Sequence, residues 1–204
     1  MSGEAADSPL LPPHGAQARS VRHGAEAPSP WVVRWCRLIA PGARVLDVAC
    51  GSGRHARLFH QRACRVIAVD RDQVAIKALA EPGISTVVAD LEAGPEKSAW
   101  PFAPASFDAV VVTNYLHRAL FPALGAALAE NGVLLYETFA VGNGRFGRPS
   151  NPAFLLRRNE LLEQFGAALN VICFEQGVVT APKPAVVQRI CAIKSAQGNP
   201  GPLE

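Results

Sequence analysis

The sequence is short of the features that mark several large protein classes. No apolar run approaches the ~20 residues that a membrane-crossing helix needs, so a spanning protein is excluded. Charge of one sign is scarce. The 20 Lys and Arg stand against 17 Asp and Glu, and a net charge of +3 is too small a bias to indicate nucleic acid by itself. The five cysteines, Cys36, Cys50, Cys64, Cys173 and Cys191, are odd in number and widely spaced, and none forms Cys-x-x-Cys. They suggest neither a zinc site nor a disulfide framework, and a reducing cytoplasm is the expected location. There is no internal repeat. What is present is a globular balance: 49% hydrophobic and 18% charged residues in 204, enough for one domain with a buried core.

Residues 1–28 carry Pro9, Pro12, Pro13 and Pro28 and almost no apolar periodicity. Such a stretch buries too little to offset the entropy of ordering, and a disordered tail is expected. It lacks the continuous apolar core of a secretory signal, and Glu4, Asp7 and Glu26 argue against a transit peptide. Residues 196–204, with Gly198, Pro200, Gly201 and Pro202, are expected to be a second tail. One domain, 29–195, lies between them.

Inside it, strands and helices alternate. Pro30–Ala40 reads as a helix with Trp31, Trp35 and Leu38 on one side, stopped by Pro41-Gly42. Strands are expected at Arg44–Ala49, Arg65–Val69, Ile84–Ala89, Phe107–Thr113 and Gly132–Phe139, with Asp70 and Asp90 closing the second and third. Helices are expected from Arg54 to about Arg62, from a cap at Asp72 to Ala80, from the turn at Pro122 to Glu130, and from a cap at Asn159 to Phe165. Asn170–Glu175 and Val186–Lys194 are strands with only a short Pro-containing turn region between them, hence antiparallel. The β-α repetition predicts an α/β fold: a mostly parallel sheet with helices on both faces and a late antiparallel strand.

The sharpest motif is VLDVACGSGRHA, residues 45–56. Open α/β sheets bind ligands at the carboxyl ends of their strands. Gly51 and Gly53 take away side chains where backbone meets a ligand, and the following helix offers unpaired N–H groups. Two readings fit a glycine turn after a strand. A dinucleotide site matches Gly51-x-Gly53-x-x-Ala56 with Asp70 as the ribose acid. An S-adenosylmethionine site uses three acids: Asp47 toward a cationic amino group, Asp70 toward the ribose hydroxyls, Asp90 toward an adenine amino group. A pyrophosphate beside Asp47 would be repelled, which favours the second. Cys50 reads as a small packed residue. His55 and His60 do not share a helix face, so no metal is expected.

VLDVACGSGRHA, VIAVD, VVADLE and FDAVVVTNYLHR, followed by NGVLLYETF, resemble the successive motifs of class I S-adenosylmethionine-dependent methyltransferases over residues 31–194. The later YETFAVGNGRFGRPSNPAFLL is similar to small single-domain bacterial members of the tellurite-resistance type. The resemblance implies a seven-stranded Rossmann-like sheet with its last strand antiparallel, and S-adenosyl-L-methionine as cofactor. It implies that Gly51 and Gly53 pack against the methionine portion, with Ala49 where many members have the first glycine. Asp70, with Arg71 beside it, would hold the ribose. Asp90 and the backbone of Leu91 would face the adenine, and Asn114 the methionine and methyl.

In-line methyl transfer needs alignment more than chemistry from the protein, and a base only where the nucleophile must lose a proton. Tyr115, His117 and Glu137 are the candidate bases, and the sequence does not choose among them. Arg145 and Arg148 in the loop after the fifth strand are candidate contacts for an anionic acceptor, with Tyr115 lining the same pocket. The expected acceptor is a small molecule. Against RNA stand the missing long basic stretch and aromatic platform, and the lack of a Pro-Pro pair after Asn114. RNA or protein as acceptor, and a non-catalytic cofactor-binding module, remain the alternatives.

Overall fold

The computed structural model describes residues 27–79, 81–93 and 100–195, so nearly all of both expected tails lies outside the described residues. The chain opens with α1 (Pro30–Trp35), where Ser29 Oγ accepts from Trp31 N and proline takes a first-turn position that needs no hydrogen bond. A single 3-10 turn, Cys36–Leu38, replaces the rest of the helix expected to reach Ala40. Then follow β1 (Arg44–Val48), α2 (Arg54–Gln61), β2 (Arg65–Asp70), α3 (Gln73–Ala78), β3 (Ile84–Val88) and β4 (Phe107–Thr113). Asp72 caps α3 as expected, accepting from Val74 N and Ala75 N. The second half holds α4 (Phe121–Ala127), β5 (Leu128–Phe139), α5 (Glu160–Phe165), β6 (Asn170–Val179) and β7 (Ala185–Ile193).

The seven strands form one sheet in the order β3-β2-β1-β4-β5-β7-β6. Neighbours from β3 to β5 are parallel. β7 runs antiparallel to both β5 and β6. Helices cover both faces. Trp31 and Trp35 of α1, Ala56 and Phe59 of α2 and Ile76 of α3 pack with Val45, Ala68, Val111 and Leu135 on one face. Phe121 and Leu124 of α4 and Leu161 and Phe165 of α5 pack with Leu46, Val110, Leu134 and Ile190 on the other. Each Val, Leu, Ile or Phe among them, taken fully from water, contributes about 1.5–3 kcal/mol.

Two local expectations are corrected. α4 ends at Ala127 rather than Glu130 because Leu128 turns extended (φ −68°, ψ 131°), is fully buried and pairs with Phe107. Lys194 Nζ donates to Leu128 O at 2.8 Å and holds that bend. Asn159 stands before α5 at φ 59°, but its side chain makes no capping bond. Glu160 Oε2 instead accepts from Arg157 N at 2.7 Å.

Candidate active site

The glycine turn is stitched to the end of β2. Cys50 N donates to Val69 O, and Gly51 N to Asp70 Oδ2 at 2.8 Å. Asp70 Oδ1 accepts from Asp72 N, and Asp70 O from Ala89 N after β3. The two expected acids of β2 and β3 therefore share one edge. Asp70 is nearly buried, and Asp90 is exposed, with Oδ1 accepting from Glu92 N. Three successive odd positions, Ala49 (φ 51°), Gly51 (φ 55°) and Gly53 (φ 76°), are left-handed. At Gly53 an added Cβ would lie 2.3 Å from Leu79 Cδ1, so this glycine lets α2 seat on the residue that ends α3.

Asp47 takes a different place from the open edge expected for it. Strand alternation turns it toward α2, where it is 1% exposed and its Oδ2 accepts from Ala56 N at 2.9 Å. Ala56 N is one of the first-turn N–H groups that a helix leaves unpaired, and the cap position, Gly53, has no side chain to serve it. A carboxylate on the neighbouring strand does so instead. Burial pushes its carboxyl up to about 7, against the pull of the Ala56 N–H and Arg54 and with a further rise from nearby Asp70.

On the same face, one straight row of polar side chains crosses four strands. Thr113 pairs in register with Glu137, Glu137 with Arg189, and Arg189 with Glu175. Arg189 Nε lies 2.5 Å from Glu137 Oε2, and its Nη1 3.4 Å from Glu175 Oε2. The guanidinium also stands 5.7 Å from the Trp31 ring centroid. Residues from α1, α2 and the chain before α1 complete the row. Ser29 Oγ donates to Glu137 Oε1 at 2.8 Å, Ser29 N to His55 Nε2 at 3.0 Å, and His55 Nδ1 lies 3.3 Å from Thr113 Oγ1. Arg34 of α1 pairs with Glu175 at 3.2 Å. Sequence reading missed Ser29, Thr113 and Arg189. The available signal was Gln188-Arg189 inside an otherwise apolar strand, since buried polar groups require partners.

The candidate bases separate. Tyr115 is half-buried, and burial with Glu92 and Asp90 nearby pushes its phenol above the ordinary range. Glu137 is nearly buried and engaged by Ser29 and Arg189. His117 is half-buried two residues past Tyr115. Asn114, at φ 54°, is exposed beyond β4, and its N–H donates to Glu137 O. Leu91 is buried, while Arg71 reaches Glu92 at 3.9 Å. Arg71, Asp90, Glu92 and Tyr115 thus gather around the ends of β2, β3 and β4. Arg145 and Arg148 are exposed, Arg145 stacking 4.8 Å from the Phe146 ring centroid. Their loop is anchored at its base: Asn143 is 2% exposed, donates to Pro149 O and accepts from Val186 N. Among the described residues no three His, Cys, Asp or Glu are grouped to hold a metal, and no helix is long and apolar enough to cross a membrane.

A turn of this geometry, with acids closing the next two strands, sits at residues 45–135, and that stretch matches the family model of a methyltransferase domain. Over residues 45–135 the chain is therefore similar to a methyltransferase domain. The chain is similar to TehB from Haemophilus influenzae, with a TM-score of 0.65 and 20% identity over 80% of this chain and 61% of that one. It therefore spans about three fifths of TehB. It is similar over 83% of its length to a methyltransferase from Methanosarcina mazei, of which it covers 99%, with a TM-score of 0.63 and 15% identity. The cyclase SpnF shares the fold at a TM-score of 0.59 and 15% identity, covering 78% of this chain and 76% of its own, so the fold by itself does not name a reaction. No curated protein sequence matches this chain. The match to a methyltransferase domain implies S-adenosylmethionine as the cofactor. The donor set fits it: two carboxylates at one edge, each oxygen with capacity for a second bond, beside a turn that is part-exposed at Ala49 and Gly51.

Proposed function

We propose that this enzyme methylates a small-molecule nucleophile, one that arrives with its lone pair already available. The cofactor supplies an electrophilic methyl on a good leaving group. Asp70, with Arg71 beside it, would hold the ribose hydroxyls. Asp90 and Leu91 N–H would take the adenine, and the turn at Ala49, Gly51 and Gly53, with Asn114, the methionine end. Asp47 acts one step back, holding that turn through Ala56. The observation that carries the acceptor reading is the state of the candidate bases. The Tyr115 phenol keeps its proton, and Glu137 is matched by Arg189. With neither of these two poised to remove a proton, His117 is the one candidate base left, and a thiolate or oxyanion is the acceptor that needs least help.

Its size is supported by what crowds the carboxyl edge. Ser29 on one side and the anchored loop at Asn143 on the other both pack onto the end of β5 and β7. Exposed Arg145 and Arg148 on that loop supply positive charge for an anionic acceptor. One observation favours RNA as the acceptor instead: Phe146 and Phe154 are also exposed there, 41% and 37%, beside those arginines. Two measurements test the reading. Calorimetry with S-adenosylhomocysteine should show binding, and none at millimolar ligand would remove the cofactor site. Radiolabelled methyl donor, offered with thiol, oxyanion, phenol and RNA pools, should label the thiol or oxyanion pool. Label confined to RNA would overturn the small-molecule acceptor.

A further inference from the structure

We infer that His55 is a positioning residue: it locks the chain segment 27–35 onto the polar row Thr113–Glu137–Arg189–Glu175, so that this segment and the cofactor turn are held as one unit. The inference rests on the cofactor site proposed above and extends it to a segment outside the family motif, which begins at residue 45.

His55 follows the turn directly, one residue into α2, and is 1% exposed. A backbone N–H can only donate, so the bond from Ser29 N makes Nε2 an acceptor. The ring proton then sits on Nδ1 and is donated to Thr113 Oγ1. The imidazole is neutral: burial, with Arg54 nearby, pushes it down to about 3. One ring thereby connects three elements, the segment before α1, the start of α2 and the end of β4. Two further bonds secure the segment. Ser29 Oγ donates to Glu137 Oε1, and Arg54 Nη1 donates to Ala27 O at 3.4 Å. α1 continues the contact, with Trp31 against Arg189 and Arg34 on Glu175. Thr113 adjoins Asn114, and Asn114 N is bonded to Glu137 O, so the row runs beside the proposed methionine end. A histidine that merely filled space would not need both nitrogens met by partners from separate elements.

Four measurements test this. Nitrogen-15 NMR of the folded chain should show His55 as the Nδ1–H tautomer, and a proton on Nε2 would overturn the bond to Ser29. His55→Phe keeps a ring but no acceptor. It should weaken S-adenosylhomocysteine about tenfold or more and red-shift the emission of Trp31 and Trp35. His55→Asn, which restores an acceptor and a donor, should recover affinity to within about threefold of the parent. Leu124→Ala removes core on the opposite face and serves as the stability control; it should leave the affinity unchanged. Equal affinity in His55→Phe and the parent, or an equal loss in Leu124→Ala, would overturn the inference. Should His55→Phe not fold, Ser29→Pro serves: φ at Ser29 is −56°, which proline accepts, and only the N–H and hydroxyl are lost. It should weaken affinity and shift emission in the same direction, and an unchanged value of both would overturn the inference. A parent that fails to bind S-adenosylhomocysteine would instead sink the cofactor reading, while the tautomer and the emission shift still report on the segment.

Discussion

Ala49 carries a cost that a glycine would not. At φ 51° its Cβ crowds the following carbonyl, worth roughly 1–2 kcal/mol, against the ~0.5–1 kcal/mol of chain entropy that glycine loses on folding. Ala49→Gly should therefore stabilise the fold by about 0.5–1 kcal/mol and raise the melting temperature by roughly 1–4 °C; a fall would show that the methyl group makes a contact worth more than the strain. Asp47 is the second residue under tension. Its carboxyl is raised in the folded state, so the fold binds more protons than the unfolded chain between about pH 4 and pH 7. Stability contributed at low pH is lost as pH rises through that window, on the order of 4 kcal/mol if the group acts alone. Asp47→Asn keeps an oxygen for Ala56 N without the charge. Denaturant titrations should find it more stable than the parent at pH 8 and little changed at pH 4, and a gap that does not grow with pH would refute this account. At this scale the ends of strands were legible, because Asp70 and Asp90 directly follow apolar runs. The direction of Asp47 was not. Alternation puts it on one face of β1, but only the packed sheet shows that this face lies under the first turn of α2.

Among elements, the loop after β4 depends on α5, far along the chain. Arg118 lies against Glu160, with Nε to Oε1 at 2.6 Å and Nη2 to Oε2 at 3.0 Å, and donates to Ala153 O and Leu155 O. Glu160 is 1% exposed, whereas Arg118 is more than a third exposed and keeps water to solvate it. In Glu160→Gln the new amide keeps one oxygen for Arg157 N and Arg118 Nη2, but its NH2 faces the Arg118 Nε–H, donor against donor. The substitution should cost about 2–4 kcal/mol in chemical denaturation and let the loop carrying Tyr115 and His117 move; a loss below ~0.5 kcal/mol would mean that this contact holds nothing. The order and type of elements were legible here, since apolar strands and capped helices leave local signatures. Ends were not. Asn131-Gly132 has the look of a helix stop, yet the helix gives way at Ala127 because Leu128 finds Phe107 in the sheet. Gln188 and Arg189 were opaque for the same reason. Gln188 accepts from Leu161 N in α5 and donates to Gln176 Oε1 and Arg157 O, while Arg189 faces Glu137 and Trp31, partners that no local window contains.

For the whole molecule, the proposed site is assembled by contacts that span the chain: the turn at 51–53, the acid at 70, the edge at 90 and the row from 29 to 189. A ligand that bridges them binds the folded chain and not the unfolded one, so it must stabilise the fold by mass action. At about a hundred times its dissociation constant, S-adenosylhomocysteine should add ~2.7 kcal/mol, which for a chain of this size raises the melting temperature by about 5–11 °C. Asp70→Ala separates the ligand's share from the fold's. It loses the acceptor for Gly51 N and Asp72 N, so the ligand-free chain should melt somewhat lower. It also loses the proposed ribose contacts, so affinity should fall by roughly 1–3 kcal/mol, and the ligand-induced rise at the same concentration should shrink by about a third at the low end and by nearly all of its size at the high end. The two effects are read from one pair of melting curves. A lower starting point with an undiminished rise would make Asp70 a support of the turn alone. An unchanged start with a vanished rise would make it a ligand contact alone. Because the same carboxylate closes β2 and holds the turn, both should move together.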